Sequence, residues 1–186
     1  SGEFNVCLNT YIISKDLLMS MVADGAAKGI YSFAKSILQA RCNDYKIMAY
    51  KHEGYFSKIT DIKSYYNANM ALLDTDKRQK LFPDNAPVYT KVRDNPPAKF
   101  AIGAKVKNSL IADGCIIEGT VENSILFRGA KVGKGSVVKD SIIMQDTVIG
   151  KNCVVDCVIT DKIVKITDRK ILTGSVNYPI YIGKGA

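Results

Sequence analysis

The sequence predicts a mixed α/β segment followed by a parallel β-helix built from six-residue repeats. Three observations predict it. A small residue, any residue, then an aliphatic recurs eleven times from Ala104 onward. Four of the five prolines (Pro83, Pro87, Pro96, Pro97) cluster just ahead of that run. The residues before the prolines mix period-2 and period-3.6 patterns without repeating.

The repeat is the strongest signal. It reads Ala104-x-Val106, Ser109-x-Ile111, Cys115-x-Ile117, Gly119-x-Val121, Ser124-x-Leu126, Ala130-x-Val132, and then Ser136-x-Val138, Ser141-x-Ile143, Thr147-x-Ile149, Cys153-x-Val155, Cys157-x-Ile159. Successive aliphatics are 4 to 6 residues apart, most often 6. A helix stripe needs 3.6 and a plain strand needs 2, so neither fits. A short strand, a corner and the next strand do fit, and three such edges close a triangular coil of roughly eighteen residues. Coils stacked at about 4.8 Å then pair edge to edge. The aliphatic points inward, and the small residue also faces the narrow interior near a corner. Cys115, Cys153 and Cys157 occupy the small-residue position, which makes them buried packing groups. Gly133 and Gly150 follow an aliphatic, where a corner calls for permissive backbone angles. The tail from Asp161 leaves strict register and returns at Tyr178–Gly183, as an irregular last coil or a cap over an otherwise open edge.

Residues 74–98 read as a proline-containing linker between a domain at 1–73 and a β-helix at 99–186. Within 1–73, Phe4, Val6 and Leu8 alternate like a half-buried strand that runs on into Tyr11–Ile13. Ser14 is placed to cap a helix ending at Gly25. A second helix is expected over Phe33–Arg41, with strands at Lys46–Tyr50 and Tyr55–Ile59. Asp61 is placed to cap a helix presenting Ile62, Tyr65, Tyr66, Asn69, Met70 and Leu73 on one broad face, with the two tyrosines read as packing residues.

Composition narrows the function. The chain has 186 residues and a formal charge of +8, with 26 basic and 18 acidic side chains. The excess is spread evenly, without a basic stripe or an aromatic platform, so nucleic acid is not an expected partner. A mildly positive protein handling anionic metabolites fits better. No apolar run reaches about 18 residues, and the first residues lack a secretory pattern, so no membrane partner is expected and a cytoplasmic location is. Five cysteines without a CxxC pair and a single histidine, His52, give no metal set and point to reduced thiols.

Hexapeptide β-helices occur in acyltransferases and in sugar-nucleotide pyrophosphorylases. The acyltransferases carry a general-base histidine on the helix, and this repeat region has none. The segment Gly54-Tyr55-Phe56-Ser57-Lys58-Ile59-Thr60-Asp61-Ile62, followed by Tyr65-Tyr66-Asn67-Ala68-Asn69-Met70-Ala71-Leu72-Leu73, resembles the line G-Y-W-x-D-V-G-T-I…Y-Y-x-A-N-M-x-L-L. That line belongs to bacterial glucose-1-phosphate adenylyltransferases (ADP-glucose pyrophosphorylases). Pro96–Phe100 and Asn108–Cys115 are similar to the same family. The resemblance runs over nearly the whole chain and implies the end of a nucleotidyltransferase domain plus a left-handed β-helix.

The departures from that family carry the functional expectation. Lys58 stands where the family has a carboxylate that helps hold a divalent metal, and an ammonium has no lone pair to offer a cation. Ser36 replaces another carboxylate, in Phe33–Gln39 against F-G-K-D-I-I-P. In Val6–Ile13, against A-S-M-G-I-Y-V-F, Cys7 and Asn9 replace a sugar-contacting Ser and a Gly. No Gly-rich phosphate loop is present. The resemblance therefore implies the regulatory, non-catalytic (D-type) subunit of the enzyme in glycogen biosynthesis. It implies no catalytic residue, metal ligand or cofactor in this chain, with magnesium belonging to the parent holoenzyme. Cys7, Asn9, Lys35, Ser36 and Lys58 would form a remnant substrate pocket. The expected partner is a catalytic adenylyltransferase subunit, or another copy through the β-helix. Two alternatives stay open: a truncated active nucleotidyltransferase, and a hexapeptide oligomerisation module.

Overall fold

The computed structural model describes residues 6–30, 32–39 and 42–186, with Ser36 and Ile37 described through their backbone alone. The chain divides into two compact units, 1–53 and 54–186.

In the first unit, α1 spans Lys15–Ala27. Ser14 does occupy the position before it, in extended conformation, but its side chain makes no capping bond. The helix passes through Gly25 and ends at Ala27, two residues later than expected. Gly29 takes a φ of 65° and the Ile30 N–H donates to the Gly25 carbonyl at 2.8 Å. This six-to-one closure needs a left-handed residue, which Gly29 supplies and Gly25, inside the helix, does not. A π-helical segment covers Phe33–Gln39; Arg41, the expected end of that helix, lies outside the described residues, as does Phe4 of the first expected strand. None of the described residues in 6–13, 46–50 or 55–59 forms a strand. Alternation alone does not make a strand. Each of these segments lacks a ladder partner among the described residues, and Met48 and Tyr50 stand 79% and 92% exposed.

In the second unit, α2 (Ile62–Met70) opens on Asp61 as expected. The Asp61 carboxylate accepts from the Ser64 N–H at 2.6 Å, and the Ser64 hydroxyl oxygen accepts from the Asp61 and Thr60 N–H groups at 2.9 and 2.8 Å. This reciprocal box satisfies three donors at the helix start. A 3₁₀ turn (Ala71–Leu73) follows, then the short α3 (Thr75–Leu81), capped by Asp74, within the proline-containing stretch.

From Lys99 the chain coils into a parallel solenoid with three faces of five strands each. The first face holds β1 (Lys99–Phe100), β4 (Ile116–Ile117), β7 (Lys131–Val132), β10 (Val148–Ile149) and β13 (Lys165–Ile166). The second holds β2 (Lys105–Lys107), β5 (Thr120–Glu122), β8 (Val137–Lys139), β11 (Val154–Asp156) and β14 (Ile171–Thr173). The third holds β3 (Leu110–Ile111), β6 (Ile125–Leu126), β9 (Ile142–Ile143), β12 (Val158–Thr160) and β15 (Ile180–Ile182). The tail is thus a last coil.

Paired residues are 17 apart in most coils, as in Lys131↔Val148↔Lys165, one fewer than six per edge requires. The difference is a tighter corner between the second and third faces, turned by a single left-handed residue such as Asp140, at φ 44°. Two irregularities are local. The corner at Glu118–Gly119 is two residues shorter, so Lys105 pairs with Thr120 at a spacing of 15. The corner at Gly174–Pro179 is five residues longer, so Val158 pairs with Ile180 at a spacing of 22.

The aliphatics stack inward as the repeat requires. Ile117, Val132 and Ile149 line one face, Val121, Val138 and Val155 the second, Leu126 and Ile143 the third, all essentially buried. Each such side chain contributes roughly 1.5–3 kcal/mol. The small residues join the coils through their hydroxyls. Ser109, Ser124 and Ser141 each accept the backbone N–H of the next coil, from Ser124, Ser141 and Val158, at 3.1 Å in every case.

Two expectations at the corners are corrected. Gly133 and Gly150 have ordinary φ; a Cβ on Gly133 would lie 2.5 Å from the Gly150 carbonyl oxygen, so the glycines answer crowding between coils. The left-handed residues come two positions later, at Gly135 and Asn152. Cys115 and Cys153 do fill the small-residue position, but Cys157 does not. Ile142 pairs with Ile159 and Ile143 with Thr160, so Val158 takes the small-residue place and Cys157 sits on the corner, at φ 52°. Thr160 fills an aliphatic position, its hydroxyl oxygen accepting the Met144 N–H at 3.2 Å.

Candidate functional site

The residues matched to the family's substrate pocket fall in both units. In the first, Cys7 and Asn9 come together around Tyr11. The Tyr11 hydroxyl donates to Asn9 Oδ1 at 3.3 Å and lies 3.5 Å from Cys7 Sγ, which accepts the Asn9 N–H at 3.4 Å. Asn9 has φ 57°, a left-handed conformation that asparagine tolerates. The Tyr11 ring meets Phe33 edge-on, 5.4 Å between centroids, which brings the start of the π-helical segment to the same place. Lys35 follows two residues on, exposed, with its N–H donating to Ser32 Oγ at 3.4 Å. The side chain of Ser36 lies outside the described residues.

In the second unit, Lys58 is exposed three residues before Asp61, which opens the α2 capping box. Backbone and hydroxyl groups of Ser64 hold the Asp61 carboxyl below its usual value, so Asp61 is engaged as a cap. Among the described residues, no group of three or more His, Cys, Asp or Glu could hold a metal ion. Lys58, which the resemblance matches to a metal-holding carboxylate, presents an ammonium with no lone pair to offer a cation.

The apolar face of α2 packs on the outside of the third solenoid face. Tyr66, Ile142 and Ile159 form a buried cluster, with Tyr65, Met70 and Phe127 packed against it. Tyr66 is 2% exposed, and its hydroxyl donates to the Asp140 carbonyl at 2.6 Å while lying 4.0 Å from Cys157 Sγ. Burial pushes the Tyr66 phenol well above its ordinary range, with the charges of Asp140 and Asp156 adding to it, so it remains a donor. Burial likewise raises the Cys157 and Cys115 thiols. No disulfide joins any of the five cysteines.

The contact of Tyr66 with Asp140 and Cys157 was not read from the sequence. A signal was there. Corner residues at this edge run Asn108, Asn123, Asp140, Cys157, and the cysteine is the one member with no special tolerance for a left-handed backbone.

A surface groove of about 590 Å³ lies elsewhere, along Val148, Gly150 and Lys165–Arg169 of the solenoid. It includes none of the five residues matched to the substrate pocket. Its Asp168 carboxylate already accepts the Lys151 N–H at 2.8 Å.

Residues 96–174, which cover most of the solenoid, match the family described as GlmU-like, C-terminal hexapeptide. The chain is 39% identical to glycogen biosynthesis protein GlgD of Bacillus subtilis over 96% of its own length and 52% of the relative's. It is 42% identical to GlgD of Geobacillus stearothermophilus over 70% of its length and 38% of the relative's. Against glucose-1-phosphate adenylyltransferase of Bacillus mycoides it is 38% identical over 78% of its length and 39% of the relative's. The chain is similar to GlgD and to glucose-1-phosphate adenylyltransferases. It spans about half the length, or less, of the curated relatives it matches. No helix among the described residues is long and apolar enough to cross a membrane.

Proposed function

We propose that this chain is part of a regulatory, non-catalytic subunit of a glucose-1-phosphate adenylyltransferase, acting in cytoplasmic glycogen biosynthesis. The holoenzyme reaction would convert ATP and glucose 1-phosphate to ADP-glucose and pyrophosphate, with magnesium and the phosphate-handling groups supplied by a catalytic partner subunit. The observation that carries this reading is Lys58. A cation stands where the family places a metal-holding carboxylate, and Asp61, the carboxylate nearest to it in sequence, is committed to the α2 cap. Cys7 and Asn9, in place of the family's Ser and Gly, support it. The similarity to two proteins named for glycogen biosynthesis supports the process. The solenoid offers the surface for assembly, with the catalytic partner or with a second copy.

The test mixes the full-length protein with its catalytic partner and measures complex formation and steady-state kinetics. A complex with altered kinetics is expected; no complex and unchanged kinetics would refute the regulatory role. The competing reading, an active nucleotidyltransferase, draws on the 38% identity to a protein named glucose-1-phosphate adenylyltransferase. It predicts turnover by the full-length protein alone with magnesium, and little effect of Lys58→Asp. Activity that arises only after Lys58→Asp favours the regulatory reading.

A further inference from the structure

We infer that Tyr66 is a positioning residue that ties the Lys58 segment to the solenoid, and that Cys157 is the socket that admits it. The inference deepens the regulatory reading and takes its functional meaning from it.

The argument starts at the corner between the second and third faces. Four left-handed residues stack there: Asn108, Asn123, Asp140 and Cys157. The first three form a side-chain ladder, with Asn108 Nδ2 donating to Asn123 Oδ1 and Asn123 Nδ2 donating to Asp140 Oδ1 at 2.8 Å. A fourth Asn would extend the ladder and would suit the left-handed backbone better than cysteine. Instead the ladder stops, and Cys157 holds an unfavoured conformation at φ 52° while buried. Strain of this kind persists where the surroundings over-determine it.

What occupies the freed space is the Tyr66 phenol. It reaches past Cys157 Sγ, at 4.0 Å, to the Asp140 carbonyl at 2.6 Å. A branched amide at position 157 would enter that space and compete for the same corner. The small, weakly polar thiol side chain leaves it open. From this joint α2 runs back two residues to Ser64, whose hydroxyl oxygen accepts the N–H groups of Thr60 and Asp61. Lys58 follows two residues further toward the N-terminus. A chain of direct contacts therefore joins a solenoid corner to the segment that distinguishes this protein from the catalytic pattern, and a displacement of the corner is carried to that segment.

The experiment is amide hydrogen exchange on the full-length protein, comparing wild type with Tyr66→Phe, Cys157→Asn and Cys157→Ser. The reporters are the hydrogen-bonded amides of Thr60, Asp61 and Ser64, against the amides of the solenoid strands. Losing one net hydrogen bond should speed reporter exchange roughly five- to tenfold in Tyr66→Phe and Cys157→Asn. The strands should stay within about twofold, and Cys157→Ser, which keeps the space, should retain wild-type rates. Unchanged reporters in both disruptive variants would overturn the inference. So would equal acceleration throughout the strands, which marks a merely structural contact, or a Cys157→Ser that loosens as much as Cys157→Asn. Partner kinetics are measured separately, so a failure of the regulatory reading leaves the exchange result standing on its own.

Discussion

The solenoid and the first unit handle apolar side chains in opposite ways. In the solenoid, each aliphatic finds its equivalent one coil away, so Ile117, Val138 and Ile143 are buried by copies of their own pattern. In residues 6–53, Ile12, Met48 and Tyr50 are fully or largely exposed, and Met21 is the one buried large apolar side chain among the described residues. A repeating sequence carries its own packing partners within about seventeen residues. An aperiodic one depends on partners at unpredictable distance.

That contrast can be broken or sharpened by substitution. The largest effect is expected for Ile143→Ala in the full chain. It opens a cavity in the stack and should cost about 2–5 kcal/mol in denaturant unfolding, whereas Met48→Ala should stay within about 0.5 kcal/mol. Equal costs at the two positions would erase the distinction. Next comes Gly133→Ala. Its new methyl would sit 2.5 Å from a backbone oxygen of the adjoining coil, and about 1–3 kcal/mol should be lost, read as a lower denaturation midpoint.

Ile163→Asn should act in the other direction. Ile163 is a β-branched residue at φ 60°, on a corner and 57% exposed, so relieving it should raise stability by about 1 kcal/mol. A drop would show that the corner needs the side chain. Glu122→Gln removes a surface pair with Lys139, 3.3 Å apart and half-exposed. Its effect should be under about 1 kcal/mol and should vanish in high salt.

The smallest effect concerns acid. The Asp61 carboxyl is held below its unfolded value of 3.8, so its contribution is complete above that value and fades as pH falls through the lower folded one. Exchange at the Ser64 amide should accelerate there, and Asp61→Asn should flatten the pH dependence. An unchanged profile would remove the box from α2's stability.

What could be read in advance follows the same division. The coils were legible because period, inward aliphatic and small neighbour repeat together, and a reader needs only the next copy to check them. The α2 cap was legible because Asp61 and Ser64 are three residues apart. The expected strands at 6–13, 46–50 and 55–59 show the limit: alternation states which face would be buried but not whether a ladder partner exists. Gly25 does not stop the helix because glycine marks a terminus only where the backbone turns left-handed, which happens at Gly29. Cys157 was displaced by one position because Thr160, polar in name, fills an aliphatic's place once its hydroxyl is bonded. Among the positions matched to a pocket, the grouping of Cys7 with Asn9 rests on Tyr11, which coincides with the tyrosine of A-S-M-G-I-Y-V-F. The resemblance names positions, but the hydrogen bonds join that tyrosine to two residues, Cys7 and Asn9, that differ from the family's own.

The unequal corners have a practical corollary. The corner at Glu118–Gly119 is short and that at Gly174–Pro179 is long, yet the strands on either side still meet their neighbours in line. Vertices of the prism therefore behave as splice points, where peptide can be grafted or excised while the walls keep their alignment. A fluorophore tag or an affinity epitope placed at Val176 would ride outside the stack, giving a handle on the assembled protein that leaves its faces untouched.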